Sequence, residues 1–230
     1  MVETRARELF APLGPSYDRY ARLLSFGQDP QWRRFLVSRV PAGPDDLVLD
    51  LATGTGAVAL ELVRQKRCSV VGVDQSPEML AEARRRVATN RVRLVEASAE
   101  QLPFDDESFD GLTAAYLLRY LSDLPSGLKG LARVLRPGAT ASLLDFGVPP
   151  GPAPRTLWNL YVDVGLPTLG RVISPGWHEV GRFLGGSIRE FDERWPVPRL
   201  LTAFREAGFE DVHARRLSLG GCTVFWGRRA

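Results

Sequence analysis

Residues 48–56 read VLDLATGTG. A short apolar run ending in Asp50 is followed by Gly54 and Gly56 and then by a helix-compatible segment from Ala57, which spells a strand, a tight turn and a helix start. Glycines at such a turn let a ligand reach the backbone, because a Cβ there would hold it off. The helix behind them offers unpaired N–H groups and a partial positive charge to an anionic group. The next apolar run, 69–73, is closed by Asp74. A second strand would therefore bring a carboxylate beside the first turn, placed to accept hydrogen bonds from both hydroxyls of a ribose.

Two cofactors fit this geometry. Residues 54–59, GTGAVA, satisfy the G-x-G-x-x-A dinucleotide fingerprint, which suits a nicotinamide cofactor. Asp50 favours S-adenosylmethionine, since an acid at the end of the first strand repels a pyrophosphate but can pair with an α-ammonium. A glycine-rich turn without a ligand is the bland alternative.

The 230 residues suffice for one domain with an insertion and a full core. No apolar run is long enough to span a bilayer, and no secretory leader opens the chain, so a cytoplasmic protein is expected. Cys68 and Cys222 lack metal spacing and read as inert buried thiols. Lys66 and Lys129 are the only lysines among 30 basic residues. The arginines that make up the rest are scattered among acids, which argues against a nucleic-acid partner. With only His178 and His213 available, no metal site is expected.

Five strand-like runs, at 47–51, 69–73, 92–96, 110–116 and 140–146, alternate with helical patterns at 57–66, 77–87 and 124–135. This alternation predicts βαβ units and a mostly parallel sheet with helices on both faces. Ser76 reads as a cap before Pro77, and Arg136-Pro137-Gly138 as a stop before the fifth strand. Residues 148–197 break the pattern with Pro149-Pro150-Gly151-Pro152 and then Trp158, Tyr161, Trp177 and Phe183, and read as a helical lid. Residues 1–42 read as a helical arm anchored by Tyr17, Tyr20, Phe26 and Trp32. A helix at 199–207 and strands at 211–217 and 222–227 close a seven-stranded single domain. Asp50, Asp74, Ser98, Tyr116 and Asp145 all fall at or just past strand ends and so converge on one site.

The ordered set VLDLATGTG, VVGVDQSPEML, VEASAEQLPFDDESFDGL and RVLRPGATASLLDFG resembles a class I S-adenosylmethionine-dependent methyltransferase, a Rossmann-like α/β fold. Tyr17-Asp18, the run 23–27, Trp32-Arg33-Arg34, Leu118-Arg119, Leu166-Pro167 with Gly170, Ser187-Ile188 and Ala207-Gly208-Phe209 resemble the ubiquinone and menaquinone biosynthesis C-methyltransferases. The resemblance implies that Gly54 and Gly56 pass under the methionine portion of S-adenosylmethionine, that Asp50 orients its ammonium and that Asp74 takes its ribose. It also implies that Ser98 and Ala99 hold the adenine edge, with Ala52, Thr53, Gln75, Met79 and Tyr116 around them. The implied acceptor is a lipophilic quinol such as demethylmenaquinol, met by peripheral contact at the inner membrane face, and a homodimer is compatible with it. Ala21, Leu117, Tyr120 and Gly186 depart from the family's Asn, Gly, Asn and Glu.

For a hydroquinone acceptor, Asp145, Tyr116 and Tyr161 are candidates to orient a hydroxyl, and Arg119 to stabilise a phenolate. His178 is a candidate base, or simply a packed residue. The competing readings are an O- or N-methyltransferase of a soluble aromatic compound, a non-catalytic cofactor-binding subunit and a nicotinamide-dependent oxidoreductase.

Overall fold

The computed structural model describes residues 9–230, so the first eight residues of the expected arm lie outside it. Short runs rich in valine and leucine, buried on both faces, form the parallel centre of a sheet. Its strands are β1 (Leu47–Leu51), β2 (Ser69–Asp74), β3 (Val92–Glu96), β4 (Phe109–Ala115), β5 (Leu135–Phe146), β6 (Phe209–Leu217) and β7 (Cys222–Arg229). They lie in the order β3-β2-β1-β4-β5-β7-β6. The first five are parallel, and β7 runs antiparallel to both of its neighbours.

The helices are α1 (Tyr17–Leu24), α2 (Asp29–Ser38), α3 (Ala57–Lys66), α4 (Pro77–Arg86), α5 (Leu124–Val134), α6 (Pro152–Leu160), α7 (Leu166–Ile173), α8 (Pro175–Arg194) and α9 (Val197–Glu206). One face of the sheet packs on α2 and α3 through Trp32, Leu36, Val58 and Leu62. The other packs on α5 and α9 through Leu128, Leu131, Phe204 and Phe225. The Ser76 hydroxyl caps α4 by accepting from the Met79 N–H, as the sequence predicts.

Strand β5 begins at Leu135, ahead of the expected 140, because Arg136-Pro137-Gly138 does not leave the sheet. Leu135 pairs with Phe109, the register then shifts, and pairing resumes at Thr140 with Gly111. Such an irregularity tolerates a proline without a backbone donor. Antiparallel pairing of Phe209 with Arg229 likewise extends β6 and β7 beyond the expected spans.

The segment after β5 folds into α6, a π-helical turn (Tyr161–Gly165), α7 and α8. Helices α7 and α8 touch backbone to backbone: a Cβ on Gly170 would stand 2.3 Å from the Trp177 carbonyl oxygen, and one on Gly181 would stand 2.6 Å from that of Leu166. Leu13, Trp177 and Val180 bury the contact between this segment and the N-terminal arm, with Tyr17 stacked on Trp177 at 6.0 Å. Phe26, expected as an anchor of the arm, is instead 72% exposed, because it follows α1 at a left-handed turn that points it outward. Among the described residues no helix is long and apolar enough to cross a membrane.

Phe204 has no exposed surface and packs on Phe209 and Phe225, with ring centroids 5.6 and 6.2 Å away. Phe204→Ala should destabilise the chain by about 3–5 kcal/mol, read as a lower midpoint in urea unfolding with an unchanged slope.

Candidate active site

The strand order reverses between β1 and β4, and the crevice beyond their carboxyl ends is where open α/β sheets bind ligands. The turn after β1 is held from both sides. The Thr53 N–H donates to the Val73 carbonyl at 2.9 Å, and the Gly54 N–H donates to Asp74 Oδ2 at 2.8 Å. The other Asp74 oxygen accepts the Ser76 N–H at 2.9 Å, so this carboxylate at the tip of β2 organises both neighbouring turns. Gly54 adopts φ +54°, which a side chain would strain.

A cavity of about 150 Å³ opens above these turns. Ala52, Thr53, Gly54, Asp74, Gln75 and Met79 line it, and Ala99 and Tyr116 join them, as the sequence leads one to expect. Three expected residues do not. Asp50 is 1% exposed and lies beneath the floor: its two oxygens accept from Thr53 Oγ1 at 2.6 Å and Thr113 Oγ1 at 2.8 Å, Thr113 being its partner across β4. Asp50 therefore shapes the turn through Thr53 and is not among the residues lining this cavity. Gly56 is also absent from the lining. A Cβ there would stand 3.0 Å from Val87 Cγ2, so this glycine serves the close packing of α3 against the end of α4. Ser98 accepts from the Glu100 N–H at 3.2 Å, and it is Ala97 and Ala99 that face the cavity on either side of it.

A second, larger cavity of about 310 Å³ lies between the arm and the α6–α8 segment. Its walls are mainly apolar, with Leu24, Phe146, Trp158, Val162, Leu166 and Ile188 among them. Phe10, Tyr17, Tyr116 and Arg119 line both cavities and form the wall where they meet. Arg119 is pinned there by an ion pair with Asp145 and by donation to the Tyr120 hydroxyl at 2.9 Å. Asp145 is 1% exposed and lines neither cavity, and its carboxylate holds Arg119. Burial pushes its carboxyl above the usual range, against the pull of the arginine. Tyr161 lines the second cavity, but its hydroxyl donates to the Leu24 carbonyl and ties the α6–α8 segment to the arm. His178 packs its ring nitrogen 2.9 Å from the Pro167 carbonyl, outside both cavities.

Sequence reasoning missed Arg33, Asp29 and Tyr17 as lining groups. Arg33 borders the first cavity, Asp29 the second, and the two are joined by an Arg33 Nε to Asp29 Oδ2 contact of 2.9 Å. Their spacing of four along a helix is a legible ion-pair signal, but nothing local says that α2 opens into a cavity. Of the four departures from the family pattern, Leu117 and Tyr120 line the first cavity and Ala21 the second, while Gly186 lines neither.

Desolvation raises Asp50 from the ordinary 3.8 to about 6, partly offset by the two threonine hydroxyls. With the folded value above the unfolded one, stability from this group is full below about pH 4 and is lost as the pH rises to about 6. Asp50→Asn removes that loss, so between pH 4 and 7 the variant should gain roughly 2–3 kcal/mol relative to the unaltered chain. Urea unfolding of both proteins across that range checks it.

The ubiE/COQ5 methyltransferase family matches residues 1–229. A demethylmenaquinone methyltransferase of Thermus thermophilus is 39% identical over 96% of this chain and 100% of its own length. A ubiquinone/menaquinone biosynthesis C-methyltransferase of a Geobacter species is 37% identical over 98% of this chain and 96% of its own. Among solved structures, a SAM-dependent methyltransferase of Thermotoga maritima superposes with a TM-score of 0.66 at 20% identity, covering 97% of this chain and 99% of that one. The phosphoethanolamine N-methyltransferase 2 of Haemonchus contortus, solved with S-adenosyl-L-methionine, gives 0.63 at 16% identity over 86% of this chain and 52% of its own. These two share the fold. With a match spanning nearly all of its length and two such relatives, the chain belongs to the ubiE/COQ5 methyltransferase family.

Proposed function

We propose that this chain transfers a methyl group from S-adenosylmethionine to a ring carbon of a prenylated quinol such as demethylmenaquinol. The observation that carries the reading is the meeting of two cavities at Tyr17, Tyr116 and Arg119: a smaller one over the glycine turn and a larger apolar one under the lid. The names of the relatives point to the same acceptor class.

The first cavity fits the donor. Asp74 lies at its edge with a carboxylate suited to ribose hydroxyls. Met79, Ala97 and Ala99 offer apolar walls for a base, and the Gly54 backbone with the Arg33 guanidinium suits the amino-acid end. S-adenosylmethionine, when bound, supplies an electrophilic methyl group on a sulfonium. The protein's part is to hold an acceptor carbon in line with water excluded, which the apolar walls and the aromatic ring pair of Tyr116 and Phe146, 4.5 Å apart, favour. Arg119 at the shared wall would face the oxygen on which negative charge develops.

In this reading residues 148–197 act as a lid and residues 1–42 as an arm within one methyltransferase unit. Leu157, Leu160 and Val164 form a stripe that is 66%, 60% and 55% exposed, and Phe26 and Leu219, also exposed, border the mouth of the larger cavity. Such an apolar rim suits loose docking on the membrane that holds long-tailed quinols.

Incubation with methyl-labelled donor and a prenylated naphthoquinol tests the reading. Label should enter the quinone as a C-methyl group stable to hydrolysis. Label found only in O- or N-methyl products of soluble aromatics would overturn it. Asp74→Ala should weaken donor binding by about 1.5–3 kcal/mol in calorimetry, since charge-assisted hydrogen bonds are lost and the Gly54 turn is released. Arg119→Lys should lower turnover on the order of tenfold to a hundredfold while donor affinity stays within about twofold. Parallel losses in both, tracking a lower melting temperature, would reduce Arg119 to a structural role.

A further inference from the structure

We infer that Asp29 is the proton acceptor for the acceptor's hydroxyl. This rests on the quinol reading above. Among the described residues lining the larger cavity, Asp29 is the only carboxylate, and no histidine lines it. The other acids and bases near the site are spoken for or out of reach. Asp145 and His178 face away from the cavity, and Arg119 is held charged by its ion pair. Burial pushes the hydroxyls of Tyr17 and Tyr116 up, so neither gives up its proton to serve as a base.

Asp29 is also held as a base should be. It starts α2, where the Ser25 hydroxyl accepts its N–H at 3.0 Å. Its Oδ1 accepts the Tyr116 hydroxyl at 2.7 Å and its Oδ2 meets Arg33 Nε at 2.9 Å. A carboxylate has about four acceptor positions, so two remain for a ligand in the cavity. The side chain is 6% exposed, which keeps bulk water from competing. Tyr116, which lines both cavities, thus fixes Asp29 at the junction where the methyl group must cross.

The proton of the acceptor hydroxyl moves to a free lone pair of Asp29, and the O–H electron pair stays on the oxygen opposite Arg119. The ring carbon beside that oxygen becomes the nucleophile and takes the methyl group: the carbon–carbon bond forms as the methyl–sulfur bond of the sulfonium breaks, and that bond's electron pair stays on sulfur as a neutral thioether. The proton on that carbon then leaves to solvent as the ring regains aromaticity, and Asp29 returns its proton to the oxygen. One proton is released per turnover, as replacing a ring hydrogen with a methyl from a cation requires.

A donor-free optical test separates this from a packing role. A naphthol becomes a strong acid when excited, and it emits as the naphtholate if an acceptor lies within hydrogen-bond reach. 4-Methoxy-1-naphthol, kept under inert gas and bound to the unaltered protein or to Tyr116→Phe, should emit as the naphtholate. Asp29→Asn should bind the probe, seen by fluorescence anisotropy, yet emit from the neutral form, and Asp29→Glu should recover part of the naphtholate band. Because Asp29→Asn leaves Arg33 without its charge partner, the double variant Asp29→Asn with Arg33→Met removes the pair together and carries the same expectation. In turnover, Asp29→Asn should fall about a hundredfold or more at unchanged donor affinity, and Tyr116→Phe far less. Naphtholate emission persisting in Asp29→Asn, or equal losses in Asp29→Asn and Tyr116→Phe, would overturn the assignment. A probe that fails to bind the unaltered protein at all would instead overturn the acceptor-cavity reading, and this inference with it.

Discussion

The buried ion pair between Arg119 and Asp145 is the contact on which the rest of the site depends. Its two side chains are 2% and 1% exposed, so both charges have left water and each is tolerable only because of the other. Removing one partner of such a pair commonly costs about 3–5 kcal/mol. Asp145 belongs to β5 near its carboxyl end, and Arg119 belongs to the short 3-10 turn Leu118–Tyr120 that follows β4. The pair therefore fastens a loop to the sheet at the place where two cavities meet. It also stacks the guanidinium 4.6 Å from the Tyr120 ring and 5.0 Å from the Phe146 ring, which builds a cationic and aromatic wall between them.

The N-terminal arm completes that wall from the other side. Phe10 and Tyr17 line both cavities, Asp18 accepts from Thr55 Oγ1 at 2.6 Å and pairs with Arg86, and Tyr161 reaches back from the π-helical turn to Leu24. One segment thus touches the glycine turn through Asp18 and the π-helical turn through Leu24.

The departures from the family pattern gain meaning from where they lie. Tyr120 accepts from Arg119, and its ring lies beneath the guanidinium, so both its hydroxyl and its ring hold the arginine. Ala21 lies on the apolar side of the larger cavity, and Leu117 adds a hydrophobic wall to the smaller one. Gly186 has open space around its Cβ position, and nothing in the structure explains that substitution.

The amino-acid sequence by itself determined the alternating strands and helices, the glycine turn, the carboxylate at the tip of β2 and the family, because each is written in local pattern: period, caps, turn residues and short motifs. Val48 to Leu51 and Val70 to Val73 can only be interior strands, and Gly54 can only be a turn. Tertiary structure decided which of the strand-end residues face a cavity. Asp50 and Asp74 look equivalent in the chain, yet pairing of β1 with β4 turns Asp50 toward Thr113 and buries it, while Asp74 stands at the cavity edge. Asp29 and Arg33 read as an ordinary helical ion pair until α2 packs beside a cavity whose far walls come from residues 116–221. Side-chain direction at a strand end and the company a helix keeps are set by register and long-range packing, which no local window contains.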